Sequence, residues 1–151
     1  MSNTTTQAVA PSLTIRRTFN APRETVFAAF TEPETLRRWL GPDDVTMGDI
    51  AFDARIGGAY RFVYHSPRMG ELVVTGTITA LRRPEHLAYT WKWNEDDAAD
   101  EHESNVRIDF IERGARTEVL FVHEKLASDE SRDRHQDGWT DALDSLVALY
   151  A

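Results

Sequence analysis

The sequence has 151 residues, enough for one domain with a substantial core, and its 41% hydrophobic and 28% charged residues are typical of a globular protein. With 25 acidic against 17 basic residues the net charge is −8, which argues against a nucleic-acid-binding surface, and the absence of cysteine excludes disulfide and thiolate chemistry. The sequence shows neither a secretory signal nor the roughly 18 apolar residues of a membrane span, so we expect a cytoplasmic protein without a membrane partner.

The first elements follow a small, polar start. Residues 1–12 predict a flexible tail, and residues 13–151 predict a single domain. Alternation over residues 13–19 predicts a strand. Pro22 suits the first position of a helix, and a second, shorter helix runs from about Pro33 to Trp39.

Six further strands are predicted between Val45 and Lys125, because β-rich runs alternate with short breaks. Breaks of hairpin length indicate an antiparallel meander. Alternation assigns one face of this sheet to the interior. Eight aromatic residues are predicted on that inner face: Tyr60, Phe62, Tyr64, Tyr89, Trp91, Trp93, Phe110 and Phe121.

The acidic stretch over residues 94–104 is expected to be a solvated loop, since blocks of like charge stay wet. A cation site is the alternative, but the carboxylates lack an ordered ligand spacing. The five histidines lack a paired zinc spacing, and the chain has no dinucleotide, phosphate-loop or nucleophile-elbow motif. We therefore expect no metal and no cofactor.

The last segment predicts one long amphipathic helix with Ser128 as its N-cap. His135 and Trp139 begin its apolar stripe, which continues through Leu143, Leu146 and Tyr150. Gly138 is costly inside a helix, by about 1 kcal/mol relative to alanine. We interpret it as a point where the helix backbone closely approaches a strand or a tryptophan.

These elements predict an α+β fold. A seven-stranded, curved antiparallel sheet wraps around the long C-terminal helix, and two short helices lie between strands 1 and 2. A helix held against a concave sheet leaves part of the trough unfilled. The sequence therefore predicts a cavity between the sheet and the helix.

The chain also resembles a known superfamily. The segments that carry the resemblance are FNAPRETVFAAFTEPETLRRWLGP, FDARIGGAYRF, AYTWKW, TEVLFVHE and HQDGWTDALDSLVALY. In this order they are similar to the START-like (SRPBCC) superfamily with its helix-grip fold, and to its branch of chaperone-ATPase-activator (Aha-type) homologues. The resemblance implies a cavity beneath the terminal helix and, for many members, no established reaction.

The candidate ligand-binding residues are aromatic rings and histidines of the inner faces. Core packing is the alternative role for any single ring, and anchoring of the helices is the alternative for Trp39 and Trp139. The predicted set is Trp39, Tyr60, Phe62, Tyr64, Tyr89, Trp91, Trp93, Phe110, Phe121, His123, His135 and Trp139.

Two inner histidines, His123 and His135, could form a general acid–base pair near neutral pH. Alternatively, each ring satisfies a backbone carbonyl group. If the protein is an enzyme, the weak catalytic candidates are His123, Tyr60 and Glu71. Among the acidic residues of the chain, Glu71 is the only one for which an inward position can be argued.

Three functions remain open at this point. The first is a binding protein for a small hydrophobic or aromatic molecule, with a role in stress response or self-protection implied by the resemblance alone. The second is an enzyme similar to polyketide cyclases and aromatases. The third is a chaperone-associated protein, although activators carry an additional domain and the outward positions, such as Thr75 and Arg107, are polar. We expect a monomer or a weak dimer.

Overall fold

The computed structural model describes residues 9–97 and 101–151. These described residues form seven strands and three helices in the predicted order. They are β1 (Leu13–Phe19), α1 (Arg23–Ala29), α2 (Pro33–Trp39), β2 (Thr46–Phe52), β3 (Ala59–Ser66), β4 (Gly70–Arg82), β5 (His86–Trp93), β6 (Glu103–Arg113), β7 (Arg116–Glu124) and α3 (Asp129–Leu149).

The strands form one antiparallel sheet in the order β1-β7-β6-β5-β4-β3-β2. The first strand therefore lies beside the last, with Leu13 opposite His123, and the other strands follow as a meander. Irregularities between Met47 and Ile50, and between Ile78 and Ala80, increase the local bend of the sheet. The predicted helix-grip architecture is confirmed.

The two short helices cover one end of the sheet. Pro22 is the N-cap of α1 rather than its first helical residue, because its ψ of 155° is extended. The rings of Phe27 and Phe30 pack on Phe110 of β6, with centroids 5.0 and 5.2 Å apart. These contacts close this end of the trough with aromatic side chains.

The terminal helix lies in the trough as predicted. Ser128 caps its N-terminus, and the Ser128 hydroxyl accepts a hydrogen bond from the Ser131 amide at 3.0 Å. Its buried face includes Trp139, Leu143 and Leu146. Removal of this apolar face from water is the main force that seats the helix.

The prediction for Gly138 is wrong. A Cβ atom added there would meet only the Pro42 Cγ at 3.8 Å, which is an ordinary contact. The close approach occurs instead at Gly76 of β4, where an added Cβ would collide with the Thr90 carbonyl oxygen and with the Tyr60 ring. The spacing of a sequence shows that a glycine is unusual but does not show which backbone lies opposite it.

Two segments that were predicted to lie at the surface are described only in part. Residues 1–8 of the tail and residues 98–100 of the acidic loop lie outside the described residues. Closer to the domain, the Leu126 amide donates to the Pro11 carbonyl at 3.0 Å. Strand β6 begins at Glu103, so the last acidic residue of this stretch belongs to the sheet. Among the residues with described positions, no helix is long and apolar enough to cross a membrane.

Candidate functional site

A cavity of about 580 Å³ lies between the sheet and the N-terminal half of α3. Its walls come from the ends of β3, β4 and β5, from the segment that follows β7, and from α3 itself. Apolar side chains dominate, including Leu40, Leu72 and Leu126. Met69, which is 70% exposed, marks the side where the cavity meets solvent.

Five of the predicted ligand-binding residues line this cavity: Tyr64, Trp91, Trp93, His135 and Trp139. The structure brings them into one aromatic wall. The Trp91 ring lies 5.5 Å from Trp93 and 4.9 Å from Trp139, and the Tyr64 ring lies 5.2 Å from Trp93, measured between centroids. Contact of this wall with a ligand stays a prediction.

The other seven predicted residues are buried but do not line the cavity: Trp39, Tyr60, Phe62, Tyr89, Phe110, Phe121 and His123. They fill the rest of the trough. Trp39 packs on Phe30 at 4.8 Å and donates its indole N–H to the Ala29 carbonyl at 2.9 Å, so it fastens α2 to α1. Alternation assigned these side chains to the correct face, but it does not show how far along the trough each one lies.

His123 is completely buried behind the aromatic wall. The Trp139 indole N–H donates to its Nδ1 at 3.1 Å, and its Nε2 lies 2.7 Å from the Ser104 hydroxyl. Since an indole N–H only donates, Nδ1 accepts and the proton resides on Nε2. Burial lowers the pKa of His123 well below its ordinary value, and neighbouring His135 lowers it further.

His135 has a similar arrangement on the helix side. The Trp93 indole N–H donates to its Nε2 at 2.9 Å, and its Nδ1 donates to the Ser131 carbonyl at 2.7 Å. Burial lowers the pKa of His135, against a smaller opposing effect of the bond to Ser131. The expected bond to a backbone carbonyl is therefore found for His135 but not for His123.

The two histidine rings do lie together, 4.9 Å apart. All four ring nitrogens nevertheless have hydrogen-bond partners within the protein. Neither ring has a free nitrogen with which to take a proton from a ligand. Each ring holds a tryptophan through one nitrogen, and acid–base use of either ring would require one of these hydrogen bonds to break.

The three weak catalytic candidates do not form a common site. Tyr60 donates its hydroxyl proton to the Thr90 carbonyl at 2.5 Å within a cluster of aromatic rings. Glu71 is exposed on β4, opposite His65 in the strand register. Its inward position was the wrong expectation, because Glu71 lies at the solvent-facing start of that strand.

Ser104 is 2% exposed and lines the cavity, although it was not among the predicted site residues. It accepts from His123 and donates to the Trp91 carbonyl at 3.2 Å. Alternation back from Val106 along β6 would have assigned Ser104 to the inner face. The adjoining acidic residues concealed that signal.

Two hydrogen-bond donors of the cavity wall have no partner among the described residues. The Trp91 indole N–H is sealed from water and makes no hydrogen bond. The hydroxyl of Tyr64, whose side chain is 5% exposed, likewise makes none to the residues at 9–97 or 101–151. Burial raises the pKa of Tyr64 well above its ordinary value, so the hydroxyl keeps its proton near neutral pH.

Charged groups lie at the rim of the cavity. Arg134 bonds Glu130 at 2.9 Å, one helical turn away, and Glu95 adds a second carboxylate. Within the part of the chain that the structure describes, no group of histidine, aspartate and glutamate side chains could hold a metal ion. The deep wall is therefore aromatic and uncharged.

Known protein families include one that matches this chain. A family model described as activator of Hsp90 ATPase homolog 1-like protein matches residues 20–151. The chain belongs to this family. The Aha-type resemblance seen in the sequence is thereby confirmed.

Solved structures agree with the family assignment. The AHSA1 protein from Silicibacter pomeroyi is 27% identical and has a TM-score of 0.83, covering 92% of this chain and 96% of that chain. A Chromobacterium violaceum protein is 24% identical, with a TM-score of 0.82 over 93% and 97% of the two chains. A Mycobacterium smegmatis protein is 23% identical, with a TM-score of 0.78 over 93% and 90%. The last two show the fold alone, and no curated protein matches the chain.

Proposed function

We propose that this family member is a binding protein that holds one small hydrophobic or aromatic molecule between the sheet and α3. The observation that carries the proposal is the cavity of about 580 Å³ with its aromatic wall. Cavities of about 300–1,000 Å³ with apolar walls and a few polar groups are typical small-molecule sites.

Binding rather than catalysis is favoured by the state of the polar groups around the wall. His123 and His135 have all their ring nitrogens engaged, and Tyr60 and Glu71 lie elsewhere. Affinity then comes mainly from apolar area removed from water, at about 25 cal/mol per Å² before the costs of association. Sequestration of an apolar compound is also the chemistry that a role in self-protection or stress response requires.

The cavity offers a direct test at Gly138, which lines it and has open space beside its backbone. Leucine at this position projects into the cavity, whereas alanine adds only one methyl group. Equilibrium dialysis of radiolabelled fluorene, a flat hydrocarbon, is measured for the wild type, Gly138→Leu and the control Gly138→Ala. We expect saturable binding of one molecule, at least about tenfold weaker in Gly138→Leu and little changed in Gly138→Ala.

Circular dichroism and unfolding curves verify that both variants keep the native fold. Fluorene binding that is equally strong in all three proteins would place the ligand elsewhere and refute this site. Absence of saturable binding by the wild type to fluorene and its oxygen- and nitrogen-bearing analogues would refute the proposed function itself.

A further inference from the structure

We infer that the cavity selects a planar ligand that carries no negative charge and presents a hydrogen-bond acceptor, such as the carbonyl oxygen of an aromatic ketone, to Tyr64 and Trp91. This inference rests on the proposed function and specifies its ligand class. Its basis is the mismatch between donors and acceptors on the cavity wall.

The tryptophans of the wall are not equivalent. Trp93 and Trp139 each donate to a histidine nitrogen, at 2.9 and 3.1 Å. Trp91 lies between them with its indole N–H unpaired, although its side chain is 2% exposed. A buried donor without a partner lowers stability, because the group has lost its water and gained nothing in exchange.

Tyr64 supplies a second donor on the same wall, a hydroxyl that bonds none of the residues at 9–97 or 101–151 and that is not sealed from water as the Trp91 N–H is. Its ring contacts Trp93, which in turn contacts Trp91, so the three side chains form one continuous surface. An indole N–H can only donate a hydrogen bond. The Tyr64 hydroxyl keeps its proton and can donate it to the carbonyl oxygen of a ligand. The Trp91 N–H is sealed from water, so pairing it with a ligand requires rotation of the ring toward the cavity that it lines.

The wall offers few complementary acceptors. The nitrogens of His123 and His135 that lack a proton already accept from the two flanking tryptophans. Ser104 accepts from His123 and donates to the Trp91 carbonyl. A ligand that brings a donor therefore finds only the Tyr64 hydroxyl oxygen among these described side chains, whereas a ligand that brings an acceptor finds two donors.

Negative charge on the ligand is disfavoured for a separate reason. The guanidinium at the rim, Arg134, is solvent-exposed and bonded to Glu130, and Glu95 adds negative charge nearby. Burial lowers the pKa of His135 on the wall and of His123 behind it, so both rings are neutral, and the nitrogen of each that lacks a proton accepts from an indole N–H. A carboxylate placed against the aromatic wall would lose its water without gaining a described cation that is free to pair with it.

Three flat molecules of nearly the same shape distinguish a ligand that accepts a hydrogen bond from one that donates and from one that does neither. Fluorene has no hydrogen-bonding group, fluorenone has an acceptor, and carbazole has a donor. Quenching of the intrinsic tryptophan emission gives the dissociation constant of each for the wild type. We expect fluorenone to bind about five- to tenfold more tightly than fluorene and carbazole. Fluorenone-4-carboxylate tests charge and should bind more weakly than fluorenone.

Tyr64→Phe removes one donor with almost no change in shape, and Tyr89→Phe makes the same change at a buried ring that does not line the cavity. Tyr64→Phe should weaken the binding of fluorenone about threefold to fivefold and leave the binding of fluorene unchanged, and Tyr89→Phe should change neither affinity.

Equal affinities of the wild type for fluorene, fluorenone and carbazole would overturn this inference while the proposed binding function stands. Tighter binding of the carboxylate would overturn the exclusion of negative charge, and failure of all probes to bind would overturn the proposed function.

Discussion

The indole N–H of Trp139 donates to Nδ1 of His123 across 3.1 Å and so fastens the terminal helix to β7. Trp93 makes the corresponding bond to His135 from the sheet to the helix at 2.9 Å. The two pairs run in opposite directions between the sheet and α3. Together they fix the orientation of the rings on either side of Trp91, at the back of the cavity.

Trp139→Ala should lower the free energy of unfolding by about 3–5 kcal/mol, the usual range for deletion of a buried aromatic ring. Trp139 is 5% exposed and packs on Phe121 at 4.5 Å and on Trp91 at 4.9 Å. Urea unfolding monitored by far-ultraviolet circular dichroism measures the loss.

Trp139→Phe is the matched variant, since it keeps a ring but leaves His123 Nδ1 without its donor. We expect it to cost about 1–3 kcal/mol. A loss below about 1 kcal/mol for Trp139→Ala would show that this side chain does not hold the helix.

The two buried histidines should make stability depend on pH. Burial lowers the pKa of both rings, so they stay neutral in the folded protein, whereas histidines of the unfolded chain bind protons below about pH 6.5. The free energy of unfolding is therefore at its full value above about pH 6.5. It decreases as the pH falls below that value, by up to about 1.4 kcal/mol per pH unit for the fully buried His123.

Urea unfolding at several pH values between about 7.5 and 5 measures this slope. His123→Gln removes one of the two groups and should flatten the slope. A wild-type stability that does not change over this range would contradict neutral, buried rings.

Two glycines should respond oppositely to alanine. Gly138→Ala should raise the free energy of unfolding by up to about 1 kcal/mol, because helix propensity improves and the added methyl meets only Pro42 at 3.8 Å. Gly76→Ala should lower it by about 1–3 kcal/mol, since the methyl collides with the Thr90 carbonyl and the Tyr60 ring. Differential scanning calorimetry compares both with the wild type, and effects of the same sign would refute this assignment of the close approach.

The elements and their faces were predictable from the sequence because alternation and helical spacing are local properties. Residues such as Trp91 and Phe121 are buried where alternation assigned them, and Ser128 caps the helix as its residue type predicts. The meander from β2 to β7 followed from the short breaks between strands, whereas the pairing of β1 with β7 was not predicted.

The extent of the cavity was not predictable. Alternation distinguishes the inner from the outer face, but Tyr60 and Tyr64 share that face and only Tyr64 lines the cavity. The difference depends on how far α1 and α2 reach into the trough, which is a property of tertiary packing. Which indole N–H finds a partner depends in addition on side-chain rotamers, which no sequence pattern encodes.

The most direct test of the central claim is a ¹H–¹⁵N correlation spectrum of the four tryptophan indole groups during titration with fluorenone. Trp91, Trp93 and Trp139 line the cavity, whereas Trp39 is bonded to the Ala29 carbonyl between the short helices and serves as the internal control. Single Trp→Phe variants assign the four signals. The account predicts saturable shifts of the first three signals, with Trp91 moving downfield as it gains an acceptor, and an unchanged Trp39. An unperturbed Trp91 at saturating fluorenone, or a shift confined to Trp39, would contradict it.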